Sequence, residues 1–260
     1  MQNQVFDKSN SYIKSIPTPS NHPHNEDVAI MAMQRRELKY ILTKEQCASL
    51  KNALKGHMQL DQYGRTSIAS IYFDTPDYRI VRASLEQPQY KEKIRLRSYG
   101  LASEDSTVFL ELKRKVTGIV YKRRISLKEK EITEILNEHL ENPDNQISKE
   151  IAYFSRFYDK LIPTFLIIYD REAYFEPNTD LRLTIDENPR YRTKNLNLHS
   201  SMEGVPLLTD GGAILEIKVQ EAMPLWLVNI LSEFKIYKSS FSKVGEAYQK
   251  EMLKETFRRY

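Results

Sequence analysis

From Lys93 to Arg97 charged and apolar residues alternate, with Lys93, Arg95 and Arg97 separated by Ile94 and Leu96. The same period of two recurs in Glu111-Leu112-Lys113-Arg114-Lys115, Lys122-Arg123-Arg124, Arg182-Leu183-Thr184-Ile185-Asp186 and Glu216-Ile217-Lys218. Successive strand side chains point to opposite faces, so this spacing collects charge on one face of a sheet. The other face receives Ile94, Leu96, Leu110, Leu112, Leu183, Ile185, Leu215, Ile217 and Val219. The pattern predicts strands over 35–42, 67–73, 90–99, 107–116, 120–127, 165–175, 180–186 and 213–219. Short turns such as Thr117-Gly118 and Glu176-Pro177-Asn178-Thr179 join several of them, which makes the sheet antiparallel.

Between these strands the period lengthens. Thr43 and Gln46 form a capping box that opens a helix, and Gly56 lies where it would stop. A short helix is predicted over 78–86. Another covers 129–140 and is broken by Asn142-Pro143-Asp144-Asn145. A helix capped by Ser148 runs to Lys160, and further helices cover 225–234 and 242–260. In the last of these Val244, Tyr248, Met252 and Phe257 fall near one face. Residues 188–210 are predicted irregular. The fold class is α+β, with helices outside an antiparallel sheet. Residues 1–33 are expected to form a flexible arm, being polar and aperiodic with Asn, Ser, Pro and His prominent. Residues 34–260 are expected to form a single domain.

Composition narrows the possibilities. Of 260 residues, 40% are hydrophobic and 28% charged, so a core forms only if the charges occupy surfaces or a solvated cavity. A net charge of +4 is too small to argue for nucleic acid by itself; the placement of the cations on strands is the informative part. Tyr90, Tyr99, Tyr121, Tyr169 and Tyr174 interleave with cations and could stack bases, but packing of strand edges accounts for them more simply. Cys47 is the single cysteine, which excludes an intrachain disulfide and a cysteine metal cluster; a buried helical position is expected for it. No run of about 18 apolar residues predicts a membrane helix, and no apolar leader predicts secretion, so a cytoplasmic location is expected.

If the sheet curls with its charged face inward, Lys39, Arg95, Arg97, Lys113, Lys122, Arg124, Arg171, Arg182, Glu216 and Lys218 converge on a basic tunnel. Lys243, after Ser242, is a further candidate. Guanidinium forks match phosphate oxygens and ammonium groups add point charge. So many enclosed cations repel one another unless an anion joins them. A solvated outer face explains one such strand, but the bias recurs on six. Glu216 is the leading candidate for a divalent metal ligand, because Mg²⁺ and Mn²⁺ take carboxylate oxygen and complete their shells with phosphates. A salt bridge to Lys218 is the plain alternative. Glu37 and Glu111 are secondary candidates.

Glu37-Leu38-Lys39-Tyr40, Ser70-Ile71-Tyr72-Phe73-Asp74-Thr75, Lys93-Ile94-Arg95-Leu96-Arg97-Ser98-Tyr99-Gly100 and Glu111-Leu112-Lys113 resemble, in order, the triphosphate tunnel metalloenzymes, a CYTH-like superfamily. Leu181 to Asp186, Leu215-Glu216-Ile217-Lys218 and Phe241-Ser242-Lys243 continue the likeness, which is strongest to the VTC (vacuolar transporter chaperone) polyphosphate polymerase domain and runs from about Arg35 to Tyr248. The resemblance implies an eight-stranded antiparallel barrel with helices outside. It implies an enzyme that passes the terminal phosphate of ATP or another nucleoside triphosphate to inorganic polyphosphate. Lys39, Arg95, Arg97, Lys113, Arg171, Arg182, Lys218 and Lys243 would bind phosphates and Glu216 would hold Mn²⁺ or Mg²⁺. A membrane-protein partner is implied by the family alone.

Two departures stand out. The superfamily opens on Glu-x-Glu-x-Lys, whereas this chain has Arg35-x-Glu37-x-Lys39, which removes a carboxylate and favours the VTC branch over simple hydrolysis. Ser239-Ser240-Phe241 lacks a basic residue expected before Ser242, and Lys238 is the nearest replacement. A metal-dependent triphosphatase and a non-catalytic polyphosphate-binding module remain the alternatives.

Overall fold

The computed structural model describes residues 36–86, 89–117, 119–131 and 146–258. The proposed arm, Arg35 and most of the helix expected over 129–140 lie outside the described residues; Glu129–Glu131 form a 3₁₀ turn. Eight long strands carry the fold: β1 (Arg36–Leu42), β3 (Thr66–Asp74), β4 (Tyr90–Tyr99), β5 (Thr107–Val116), β6 (Ile119–Lys128), β7 (Ile162–Phe175), β8 (Arg182–Arg192) and β10 (Ala213–Val219). Three two-residue strands join them: β2 (Gln59–Leu60), β9 (Val205–Pro206) and β11 (Lys238–Ser239). The helices are α1 (Lys44–Leu54), α2 (Arg79–Leu85), α3 (Gln146–Phe157), α4 (Leu225–Glu233) and α5 (Lys243–Arg258).

All pairings are antiparallel, and the sheet order is β11-β1-β10-β8-β7-β3-β4-β5-β6. Backbone pairing does not close this sheet into a barrel; β6 and β11 are its two ends. Side chains span the concave side instead. Lys113 Nζ on β5 lies 3.3 Å from Glu37 Oε2 on β1, and Lys93 Nζ on β4 donates to Ser242 Oγ at 2.8 Å. The result is a curled sheet that forms a tunnel.

The apolar face of each strand is covered from outside. One cluster joins Cys47, Leu50 and Leu54 of α1 and Leu227 and Leu231 of α4 to Leu183, Ile185, Leu215 and Ile217. A second joins Ile151 and Phe154 of α3 and Ile80 of α2 to Ile94, Leu96, Leu110 and Leu112. Helix α5 is different: Val244 and Ala247 pack against Ile68, Phe165, Ile167 and Tyr169, which share the concave face with the tunnel charges. It fills the apolar end of that face and brings its own first turn into the tunnel. Gly245 permits this approach, since a Cβ there would lie 2.9 Å from Leu85 Cδ2 of α2.

Local chemistry explains several boundaries. The Thr43–Gln46 capping box is present and α1 ends at Leu54. Asp74 is buried at the end of β3 and accepts from the amides of Thr75, Ile80 and Val81 at 2.8, 2.8 and 2.9 Å, which ties the strand to the start of α2. Pro163 is accommodated inside β7 at a register shift, where no ladder donor is required. Three sequence expectations shift. Helix α3 already includes Gln146, so Ser148 is buried inside the helix and not at its N-cap. Strand β8 continues to Arg192 through residues expected to be irregular, because Arg190 and Tyr191 pair with both β7 and β9. Phe257 is 79% exposed, off the buried face of α5.

Replacing Asp74 with Ala leaves three amides at a buried site without their acceptor. A loss of about 3 kcal/mol in unfolding free energy is expected from denaturant titration, with Asp74→Asn retaining part of it.

Candidate functional site

The tunnel opens as a cavity of about 520 Å³. Ten cations line it: Lys39, Lys93, Arg95, Arg97, Lys113, Lys122, Arg124, Arg171, Lys218 and Lys243, against three carboxylates, Glu37, Glu111 and Glu216. They come from β1, β4, β5, β6, β7, β10 and the start of α5, because the period of two keeps each strand's charged positions on one side. A second cavity of about 570 Å³ shares Glu37, Lys39, Lys93, Lys113, Val120 and Ser242, and extends to Lys91, Lys115 and Lys238.

Register decides which charges meet. Arg95 and Arg124 both stand opposite Glu111. Glu111 is 1% exposed; Oε2 accepts from Arg95 Nε at 2.8 Å, and Oε1 receives Arg124 Nε and lies 2.7 Å from both Arg124 Nε and Lys122 Nζ. Burial works against its ionisation, yet Arg95, Arg97 and Lys122 hold its carboxyl far below the ordinary range. Arg171 stands opposite Asp186 and donates from Nε and Nη2 at 2.6 and 2.8 Å; Lys243 also binds that carboxylate. Asp186 is fully buried and ionised, its burial outweighed by Lys243 and Arg171. Glu216 lies 3.4 Å from Lys39 and 3.9 Å from Lys243, and despite burial the field of Lys243, Lys39, Arg171 and Lys218 keeps it well below normal. Glu37 bridges Lys39 at 3.4 Å and Lys113 at 3.3 Å.

Two tyrosines form part of the floor. Tyr72 Oη accepts from Arg95 Nη1 at 2.8 Å, and Tyr169 Oη from Arg97 Nη2 at 3.1 Å. Burial alone would raise the Tyr72 phenol; Arg95, Lys93 and Arg97 bring it down to about 8. Arg171 and Lys243 lie over the Tyr169 ring at 5.1 and 4.5 Å from its centroid. Ser242 Oγ accepts from Gly245 N at 3.1 Å as well as from Lys93, so it ties the first turn of α5 to the tunnel wall.

The cations are not equally satisfied. Among the described residues, Lys93 and Lys218 have no carboxylate within 4 Å. Burial, reinforced by Lys39, Lys113 and Arg95, pushes the Lys93 ammonium down to about 8. Burial lowers Lys218 too, and brings Lys122 to about 8 in spite of Glu111. Burial first, and neighbouring positive charge after it, make these amines hold their protons less firmly than free lysines do.

Of the residues selected from the sequence, Lys39, Arg95, Arg97, Lys113, Lys122, Arg124, Arg171, Glu216, Lys218, Ser242 and Lys243 line the first cavity, and Lys238 lines the second. Arg182 lies elsewhere. It shares their strand face but stands at the first position of β8, beyond the cavity, where Nη1 donates to the carbonyls of Thr179 and Leu181 and the guanidinium lies over Phe175. Lys93 and Asp186 belong to the alternating segments read from the sequence, in step with Arg95 and Thr184, but were not among the site candidates. Tyr169 was read from the sequence only as one of several tyrosines interleaved with cations, and Tyr72 only as part of a segment resembling the family; strand parity is what places both on the tunnel face.

A sequence model of the VTC domain matches residues 34–252. The chain belongs to the VTC domain family. No protein of curated function matches it significantly. Among solved structures, this VTC domain is similar to a candidate adenylate cyclase from Bacillus halodurans, with 15% identity over 81% of this chain and 96% of that one and a TM-score of 0.51. It is also similar to a candidate adenylyl cyclase from Hippeastrum described as having a dominant triphosphatase activity (18% identity, 80% and 92% covered, TM-score 0.45). A candidate adenylate cyclase from Vibrio parahaemolyticus gives 12% identity, 82% and 97% covered, and a TM-score of 0.44. The first of these likenesses supports the fold, a curled antiparallel sheet with helices packed outside it. No described helix of the VTC domain is long and apolar enough to cross a membrane.

Three outcomes are expected. An anion that needs Lys93 and Lys122 as ammonium groups raises their pKa values on binding, so it takes up protons. Affinity for inorganic tripolyphosphate therefore falls as pH rises through 8, and calorimetry in buffers of different ionisation enthalpy detects an uptake that shrinks in Lys93→Met. Glu111→Gln removes the partner of several buried cations and is expected to cost about 3 kcal/mol of stability. Saturating tripolyphosphate, at about 100 times its Kd, is expected to raise the melting temperature of the wild type by about 5–10 °C.

Proposed function

We propose that this VTC domain is a polyphosphate polymerase, transferring the terminal phosphoryl group of a nucleoside triphosphate, ATP being the first choice, to a growing chain of inorganic phosphate. The observation that carries this reading is the excess of ten cations over three carboxylates around one cavity. A compact anion would neutralise a fraction of that charge, whereas a chain of phosphates matches its spread over seven elements.

The roles follow from position. Arg95 and Arg97 on β4, Arg171 on β7 and Lys39, Lys113, Lys218 and Lys243 from opposing walls grip the phosphates and hold donor and acceptor in line. In the transfer, the bond between the γ phosphorus and its bridging oxygen breaks and the nucleoside diphosphate leaves with that oxygen. A terminal oxygen of the chain forms the new bond. That oxygen is already anionic and requires no general base.

This is what favours transfer over hydrolysis. A hydrolase needs a carboxylate free to orient or deprotonate water. Glu111 is enclosed by Arg95, Lys122 and Arg124, and Glu37 by Lys39 and Lys113. Both are held below the ordinary carboxylate range and are poor proton acceptors.

A divalent metal fits the donor set only in part. The described residues contain no group of three or more His, Cys, Asp or Glu that could hold one. Glu216 and Glu37 face the cavity from paired strands, and both stay ionised. Two carboxylates suit Mg²⁺ or Mn²⁺ when phosphate oxygens supply the remaining ligands. Glu216, aided by Glu37, would then hold an ion that offsets charge on the phosphates when bound.

Purified protein incubated with ATP and Mn²⁺ or Mg²⁺ is expected to yield phosphate chains and ADP on a gel that resolves chain length. Glu216→Ala and Arg95→Ala are each expected to lower the rate by about 100-fold or more. Free phosphate without chains would replace this reading by a triphosphatase. Tight polyphosphate binding with neither product would leave a binding module.

A further inference from the structure

The two mouths of the tunnel differ in chemistry. One ends in lysines: Lys91, Lys115 and Lys238 line the second cavity. The other ends in Tyr99, the last residue of β4, which lines the first cavity and is 48% exposed. Its ring meets Phe109 of β5 with centroids 5.7 Å apart and planes 80° apart. Arg124 of β6 completes the group. Its guanidinium lies 4.4 Å from the centroid of Phe109, and Nη2 donates to Tyr99 Oη at 3.3 Å.

A half-exposed tyrosine at the rim of a charged cavity is not needed for the core, whose clusters lie elsewhere. Here it is braced by a second ring and tethered by an arginine that also binds Glu111 inside the tunnel. Tyr99 stands four residues along the strand from Arg95, about 13 Å at the rise of a β-strand. An extended nucleoside triphosphate that places its terminal phosphates among Lys39, Arg95 and Arg171 brings its base to this rim. Aromatic rings and guanidinium planes both stack on bases without reading their edges.

We propose that Tyr99, braced by Phe109 and Arg124, is the platform on which the base of the nucleoside triphosphate stacks, so that nucleotide occupies this mouth and the phosphate chain the lysine mouth. This rests on the reading of the tunnel as a nucleotide-dependent polymerase, and it adds a determinant for a nucleotide over inorganic tripolyphosphate. Selection among bases is not part of it, since stacking alone is tolerant of base identity.

The test compares wild type, Tyr99→Ala and Tyr99→Trp by calorimetry with two probes, the β,γ-imido analogue of ATP and inorganic tripolyphosphate, both with Mg²⁺. Tyr99→Ala is expected to weaken the ATP analogue about tenfold and leave tripolyphosphate unchanged, with Tyr99→Trp restoring affinity for the analogue. Equal weakening of both probes would make Tyr99 a prop of the tunnel wall and overturn the proposal. An unchanged affinity for the analogue in Tyr99→Ala would overturn it as well, and chain synthesis from ATP in the same variant would show that the polymerase reading survives. Wild-type protein that binds tripolyphosphate but not the analogue would end the platform and the nucleotide-dependent reading together.

Discussion

Enclosed positive charge is the constraint on which the rest of this structure depends. Ten cations share one cavity with three carboxylates, and Asp186 supplies a fourth from beneath the wall. In a medium of reduced dielectric, like charges at such separations repel strongly. The protein answers with shared carboxylates. Four buried or half-buried carboxylates each bind two or more cations, so that a few anions hold many partners. Burial and the remaining repulsion together lower the proton affinity of Lys93, Lys122 and Lys218.

The same arrangement links stability to ligand binding. A cavity with this excess of positive charge gains from any polyanion that enters it, because the ligand replaces repulsion with attraction and raises the proton affinity of the amines. The outer helices make this tolerable: α1 and α4 on one half of the sheet and α3 on the other bury the apolar face. The core therefore lies outside the tunnel and the tunnel wall is left to charge. Helix α5 is the exception, and its position matters for function. By covering the apolar end of the concave face it places Ser242 and Lys243 among the strand cations, where Lys243 can reach both Asp186 and Glu216.

Much of this was legible in the sequence because strand parity is a local property. The alternation around Arg95, Lys113 and Glu216 sorts side chains between two faces whatever the tertiary fold. The strand ranges 90–99, 107–116 and 213–219 were read without error. Parity says which face a residue takes but not how far along the tunnel it lies. Arg182 has the same face but stands at the first position of β8, outside the residues that line the cavity, while Lys93, part of the same alternation and not a candidate, lines it.

The sequence by itself determined the antiparallel α+β character, the capping box at Thr43, and a concave face rich in cations, because each depends on residues within a few positions of one another. Tertiary structure alone decided which charges meet. Arg171 finds Asp186, and Arg95 and Arg124 share Glu111, through the register between strands. It also decided that the sheet curls without closing and that α5 enters the concave side. Register follows from turn geometry together with the burial of one whole face, and curvature from the packing of that face against the helices, so both are settled only when the faces meet.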